Sequence, residues 1–395
     1  MPLPVLSLML VVFSLTTGEF VIAGLLPDVA TDLSVPVAAA GLLVTAYAVG
    51  MIVGGPVVTA LTARVARKPL IAGLVVVAVI GNLGSVFAPD HTWLLVSRFV
   101  AGLVVATFFA VAIATAVAMA PAGREASSVA KVALGMNLGM VLGAPLGTFV
   151  GQQFGWRAAF TAVAALGLVA LAMVLLFVPA QPAPAAASLL DELRVFGRRD
   201  VQLAIALTAV GNVGVVTVFV YIAPLLVDVA GFSSAAVPLL LLVYGAGAVI
   251  GNLLGGWLSD RALMPSLVGL LAALAAVLVL FWTLGTMPVP AAILTFVVGV
   301  LAFAIIPGMQ TRVLTTAGAA PTLAVAVNAS GFQVAAAFAG WLGGRITESA
   351  WGVGSIPLAA ALLTLVGLSI AVHSLQGDSR TRPAAVTAAR ASSPL

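Results

Sequence analysis

A chain of 395 residues in which 63% are hydrophobic and 7% charged carries too little polar surface for a soluble domain, where about a quarter of residues are charged. The sequence is that of an integral membrane protein. A net charge of +4 and a pI near 10.1 do not signal nucleic-acid binding, because the basic residues segregate by loop and form no patch. The absence of cysteine removes disulfides, thiol nucleophiles and iron–sulfur ligands, and with only two histidines, His91 and His373, far apart in sequence, a zinc site is not expected. No Lys follows a Gly, so the phosphate-binding loop of an ATP-driven pump is missing.

The first apolar run, Leu3 to Leu26, closed by Pro27 and Asp28, is long enough to span a bilayer and carries one carboxylate, Glu19, near its middle. An acid there costs roughly 2.5 to 3.5 kcal/mol on insertion scales and is tolerated where it faces a bundle interior or a wet cavity. Two readings follow: a proton-carrying centre, or a protonated group bonded to backbone or Thr16 that serves only packing. No Lys or Arg precedes this run, so it is expected to stay as a helix rather than be removed as a signal peptide.

Apolar windows bounded by Pro, Gly or charge predict twelve transmembrane helices, near 3–26, 38–60, 69–88, 92–119, 127–149, 158–178, 201–224, 236–258, 266–286, 289–312, 322–343 and 354–374. Thirteen of the sixteen Lys and Arg then fall on one side, at Arg64, Arg67, Lys68, Arg124, Lys131, Arg194, Arg198, Arg199, Arg261, Arg312, Arg380, Arg382 and Arg390. That asymmetry predicts cytoplasmic termini. Asp28 and Asp32 read as outer loop acids or a cap for the second helix. A Pro-Ala and charged stretch at 179–200 reads as a linker ending in an interfacial helix, and the tail 375–395 as disordered.

A constant offset of 197 residues pairs Pro27 with Pro224, Tyr47 with Tyr244, Gly50 with Gly247, Gly54 with Gly251, Arg64 with Arg261, Gly102 with Gly299 and Gly143 with Gly340. The chain is therefore expected to be all-α, two pseudo-symmetric six-helix bundles at 1–178 and 201–374, with a binding site between them near the bilayer midplane.

The stretch Gly18-Glu19-Phe20-Val21-Ile22-Ala23-Gly24-Leu25-Leu26-Pro27-Asp28, followed by Asp32-Leu33 and Ala40-Gly41-Leu42, resembles the major facilitator superfamily, and within it the twelve-helix drug:proton antiporters of the chloramphenicol-resistance and sugar or nucleoside efflux type. The resemblance implies proton coupling through Glu19. It also implies a loop signature that helps close the cytoplasmic side: Gly256-Trp257-Leu258-Ser259-Asp260-Arg261 keeps it, whereas Thr59 and Ala63 replace its Gly and Asp at the first loop, where Arg64 and Arg67 remain. The role of those two basic residues is gating or simply topology. Arg98 with Gly102 resembles the family's fourth-helix Arg-x-x-x-Gly pattern, and Gly139-x-x-x-Gly143-Ala144-Pro145 its antiporter motif, associated with a bend that limits leak. Arg98 is expected either to act on Glu19 or to reach the outer surface or backbone.

Tyr47, Asn137, Asn212, Tyr221, Tyr244, Asn328 and Gln333 are polar groups within helices, each a candidate ligand contact or an interhelical hydrogen bond. The expectation is a non-enzymatic secondary transporter, monomeric and multi-pass in the bacterial inner membrane, without cofactor. It would export small, mostly hydrophobic compounds in exchange for protons. Glu19 and Arg98 would couple the proton, the seven polar residues would contact substrate, and Arg64, Arg67, Asp260, Arg261, Gly143 and Pro145 would gate. Proton-linked efflux of sugars or purine nucleosides is the alternative.

Overall fold

A computed structural model describes residues 1–62, 64–121, 124–181, 199–317 and 321–391. The charged linker with Arg194 and Arg198, and the side chain of Asn328, lie outside the described residues.

The described residues form twelve long helices: α1 (Leu3–Asp32), α2 (Val37–Thr62), α3 (Arg67–Val86), α4 (His91–Ala118), α5 (residues 125–154), α6 (Trp156–Phe177), α7 (Arg199–Val220), α8 (residues 237–261), α9 (residues 263–284), α10 (Pro288–Ala317), α11 (Pro321–Thr347) and α12 (Ile356–Ala391). Helices suit this setting because each satisfies its own backbone hydrogen bonds where no water is present. Helices α8 and α9 abut with no loop. Ala262, at φ −157° and ψ 84°, breaks the ladder and Pro265 follows, so two spans meet in one sharp bend.

Two ends differ from the sequence reading. Helix α1 does not stop at Pro27 but runs to Asp32, with Thr31 Oγ1 donating to the Pro27 carbonyl at 2.8 Å. Membrane helices tolerate proline where side chains and neighbouring helices serve the freed backbone groups. Asp32 therefore ends α1 rather than capping α2, and it accepts hydrogen bonds from Trp156 Nε1 at 2.9 Å and from Arg157, fastening α1 to α6. Helix α12 continues to Ala391 through residues read as a disordered tail, whose Ala and Arg content favours helix.

The repeat is visible in the packing. A Cβ at Gly50, Gly54 or Gly102 would lie 2.4, 1.8 or 2.2 Å from the carbonyl oxygens of Phe99, Leu103 and Tyr47. The partners 197 residues on, Gly247, Gly251 and Gly299, face Phe296, Val300 and Tyr244 at 2.4, 2.0 and 2.4 Å. In both halves glycine lets two backbones touch, α2 on α4 and α8 on α10. A second ridge, Gly135, Gly139, Gly143, Gly147 and Gly151 of α5, lies against Met9, Thr16, Thr17, Val21 and Leu25 of α1. Within it the chain widens into one π turn, Gly139–Gly143, just before Pro145, whose ring supplies no N–H to the ordinary ladder.

The described hydrogen bonds that join the halves lie at or beyond mid-membrane, on the side away from the termini. Thr45 Oγ1 of α2 donates to the Ala337 carbonyl of α11 at 2.8 Å, and Gln152 Nε2 donates to the Ser234 carbonyl at 2.9 Å. Gly340 of α11 lies against the Gly41 carbonyl, and Gly245 of α8 against Val141 of α5.

Gly54→Val and Gly251→Val are each expected to destabilise the protein by about 1 to 3 kcal/mol, because the added atoms meet backbone rather than a movable side chain. Gly73→Ala, where nothing lies within 4 Å, is expected to be neutral or stabilising. Thermal unfolding in detergent distinguishes them.

Candidate functional site

Glu19 faces the other half of the molecule. Its Oε1 accepts a hydrogen bond from Gln333 Nε2 of α11 at 3.1 Å, and the two line a cavity of about 20 Å³ with Phe20, Tyr47, Val216 and Phe219. Thr16, a candidate partner in the packing reading, has a hydroxyl with no partner among the described residues, and the carboxylate is held from across the interface instead. The carbonyl oxygen of Gln333 is buried without a partner among the described residues.

Arg98 is wholly buried, 0% exposed, and does not snorkel to a surface. Its guanidinium lies 4.4 Å from the Tyr47 ring centroid and 5.3 Å from that of Phe160, and none of its nitrogens has a hydrogen-bond partner among the described residues. Cation–π contacts of this kind contribute about 0.5 to 2 kcal/mol and replace part of the lost hydration. Arg98 and Glu19 do not form a contact pair, but they interact coulombically. Tyr47 touches both: its ring underlies Arg98, it lines the Glu19 cavity, and its hydroxyl donates to the Leu15 carbonyl at 3.3 Å.

A second cavity of about 30 Å³ lies beside the first. Asn212, Met140, Tyr244, Phe303 and Phe332 line it, and it shares Phe20, Val216 and Phe219 with the first. Phe20 and Phe219 meet edge to face at 5.7 Å, and Phe219, Tyr244 and Phe303 continue as ring pairs at 5.1 and 6.3 Å. Each cavity has room for a water molecule or two, far below the several hundred Å³ of a site holding a drug-sized ligand.

A family model described as Major Facilitator Superfamily matches residues 8–323. The chain belongs to the major facilitator superfamily. It is 37% identical over 345 residues to the chloramphenicol resistance protein of Streptomyces lividans, covering 85% of this chain and 87% of that protein. It is 32% identical over 378 residues to the inner membrane transport protein YdhP of Escherichia coli K12, covering 96% and 97%. The uncharacterized MFS-type transporter YfhI of Bacillus subtilis is 32% identical over 361 residues, 91% of each chain. Among solved structures, a D-xylose–proton symporter superposes with a TM-score of 0.75 at 17% identity, and a bacterial homologue of the human lysosomal transporter Spinster with 0.73 at 18%, each covering 94% of this chain and 96% of the other. The protein is thus a multi-pass membrane transporter of a small-molecule substrate and not an enzyme.

Within this facilitator the other sequence candidates separate. Asn137 is exposed on α5, one turn from Val141, and lines neither cavity. Tyr221 is buried away from both cavities. Its hydroxyl donates to the Gly340 carbonyl at 2.7 Å, and a Cβ at Gly41 would lie 1.8 Å from it, so the side chain fills the seam between α2 and α11. Gly143 and Pro145 pack α5 against α1 and the π turn, within one half. Arg67 holds the start of the linker, donating to Gln181 Oε1 at 2.9 Å, while Arg64 is exposed. Arg261 lies over the Trp257 ring at 3.6 Å, and the neighbouring Asp260 is exposed. Phe20 and Met140 were not singled out by sequence; Phe20 was signalled only by standing next to Glu19.

Thr45→Val is expected to weaken closure of the α2–α11 seam by about 1 kcal/mol, the net worth of one neutral hydrogen bond, and so shift a two-state population about fivefold. The chain has no cysteine, so a Gln152→Cys, Ser234→Cys pair reports closure through its rate of reaction with a short bifunctional reagent, slower when Thr45→Val is also present.

Proposed function

We propose that the protein exports small, mostly apolar, drug-like compounds in exchange for protons, by rocking one six-helix half against the other. The observation that carries this reading is the hydrogen bond between Glu19 of one half and Gln333 of the other, in the middle of the membrane. An ionised carboxylate accepts a stronger hydrogen bond from the amide than a neutral acid does, by roughly twofold. Protonation of Glu19 therefore weakens one link between the halves and removes a charge that the apolar surroundings disfavour. Arg98 keeps a positive field on the site throughout, since a guanidinium does not give up its proton.

The positive-inside distribution supports termini in the cytoplasm, and the inner membrane transport protein among its relatives supports a bacterial inner membrane. The described bonds between the halves are then at mid-membrane and on the outer side. The state is one closed to the outside, the form from which a proton leaves inward and substrate enters. Asp260, which in the family's loop signature helps close the cytoplasmic side, has no hydrogen bond or ion pair among the described residues, in keeping with that state. One proton crossing 100 mV supplies about 2.3 kcal/mol, enough for a roughly 50-fold gradient of an uncharged substrate. The name of the Streptomyces lividans relative and the apolar cavity walls favour a drug over a sugar or nucleoside.

In inverted membrane vesicles energised with a proton gradient, the wild type is expected to accumulate chloramphenicol, and Glu19→Gln to lose at least tenfold of the gradient-driven rate. Undiminished gradient-driven uptake by Glu19→Gln would sink the mechanism. Uptake of arabinose but not chloramphenicol would transfer the substrate to the sugar class.

A further inference from the structure

We propose that the substrate is held in the Tyr244 cavity with Asn212 as its polar anchor, and that the Glu19 cavity serves the proton alone. The inference rests on the export reading and adds the place and chemistry of the substrate site.

The two cavities occupy related positions in the two repeats, since Tyr47 and Tyr244 are partners at the 197-residue offset, but the charges are not repeated. The partner of Glu19 is Val216 and that of Arg98 is Thr295, whose hydroxyl is spent on the Ala291 carbonyl at 2.8 Å. Among the described residues no Asp, Glu, His, Lys or Arg lines the second cavity, whose walls are Phe20, Phe219, Tyr244, Phe303 and Phe332 with the adaptable side chain of Met140. Such a chamber disfavours a charged ligand and suits a neutral, aromatic one.

Asn212 supplies the specific contact. It is 2% exposed and lines this cavity, and its amide nitrogen donates to the Thr208 carbonyl at 2.7 Å and to Met309 Sδ at 3.3 Å. Both amide hydrogens are thus committed, which fixes which end of the amide is which, while Oδ1 is buried and has no partner among the described residues. A buried acceptor without a partner is costly, and a ligand hydroxyl or amide N–H would satisfy it. The substrate class is therefore a neutral, ring-bearing compound with at least one hydrogen-bond donor. The cavity must widen to admit it, and Phe20, next to Glu19 in sequence and against Phe219 in space, connects that widening to the proton site.

The test is calorimetric binding to the purified, detergent-solubilised protein of chloramphenicol, which has hydroxyl and amide donors, and of its O,N-methylated derivative, which has none. Wild type is expected to bind the first about 5- to 10-fold more tightly, the worth of one satisfied donor. Asn212→Leu is expected to bind both alike, and Phe303→Ala to bind both more weakly while keeping the preference. The wild-type comparison needs no variant to fold. Equal wild-type affinities, or a preference that survives in Asn212→Leu, would overturn the assignment while leaving drug export standing. Failure of wild type to bind either compound would overturn the drug reading itself, and this assignment with it.

Discussion

The cost of putting a carboxylate among hydrocarbon governs this molecule. Glu19 is tolerable only where something compensates it, and lipid does not. The compensation comes from the opposite half of the protein, through Gln333, and from the field of Arg98, which itself is kept by two aromatic rings rather than by a counter-ion. Because the partner of the carboxylate belongs to the other half, a change in its protonation acts on the interface between halves and not merely on local packing. A salt bridge within one half would have neutralised the same charge without any bearing on how the halves sit.

Pseudo-symmetry supplies the frame and its breakage supplies the specialisation. The glycine contacts of α2 on α4 and of α8 on α10 match almost atom for atom, because close backbone approach has one solution and both repeats keep it. The interior positions are free of that constraint. There Glu19 and Arg98 face Val216 and Thr295 across the repeat, so one half carries charge and the other an apolar chamber. The seam glycines diverge as well: Gly143 packs on Thr17 within its own half, whereas its partner Gly340 meets Gly41 and Thr45 of the other.

Helix number, repeat and superfamily were all legible in the sequence, since hydropathy and glycine register are local signals. So was Glu19, because a lone acid in an apolar run stands out in one dimension. Its partner was not, since nothing in the sequence distinguishes Gln333 from the exposed Asn137, and only the meeting of α1 with α11 selects it. Tyr221 misled for a related reason: a tyrosine hydroxyl in a membrane helix needs an acceptor, and a backbone carbonyl exposed by Gly340 serves as well as a ligand. The end of α1 at Asp32 was hidden by Pro27, which breaks soluble helices more reliably than membrane ones. Phe20 was obscured by its surroundings, one aromatic residue in a chain with 18 phenylalanines.

The arrangement of contacts along the membrane normal also constrains how the halves can move. Thr45 and Gln152 tie them on one side, and Glu19 with Gln333 is the innermost tie. A rocking motion that opens the tied side must stretch the outer contacts most and the Glu19 bond least, because displacement grows with distance from the pivot. The outer ties are neutral hydrogen bonds and glycine contacts, each contributing about 1 kcal/mol, and none responds to a proton. The central tie is the one whose strength depends on charge. A small change at the pivot therefore adjusts the balance of a large motion without being the thing that moves, which is what the proposed coupling of a proton to the reorientation of the halves requires.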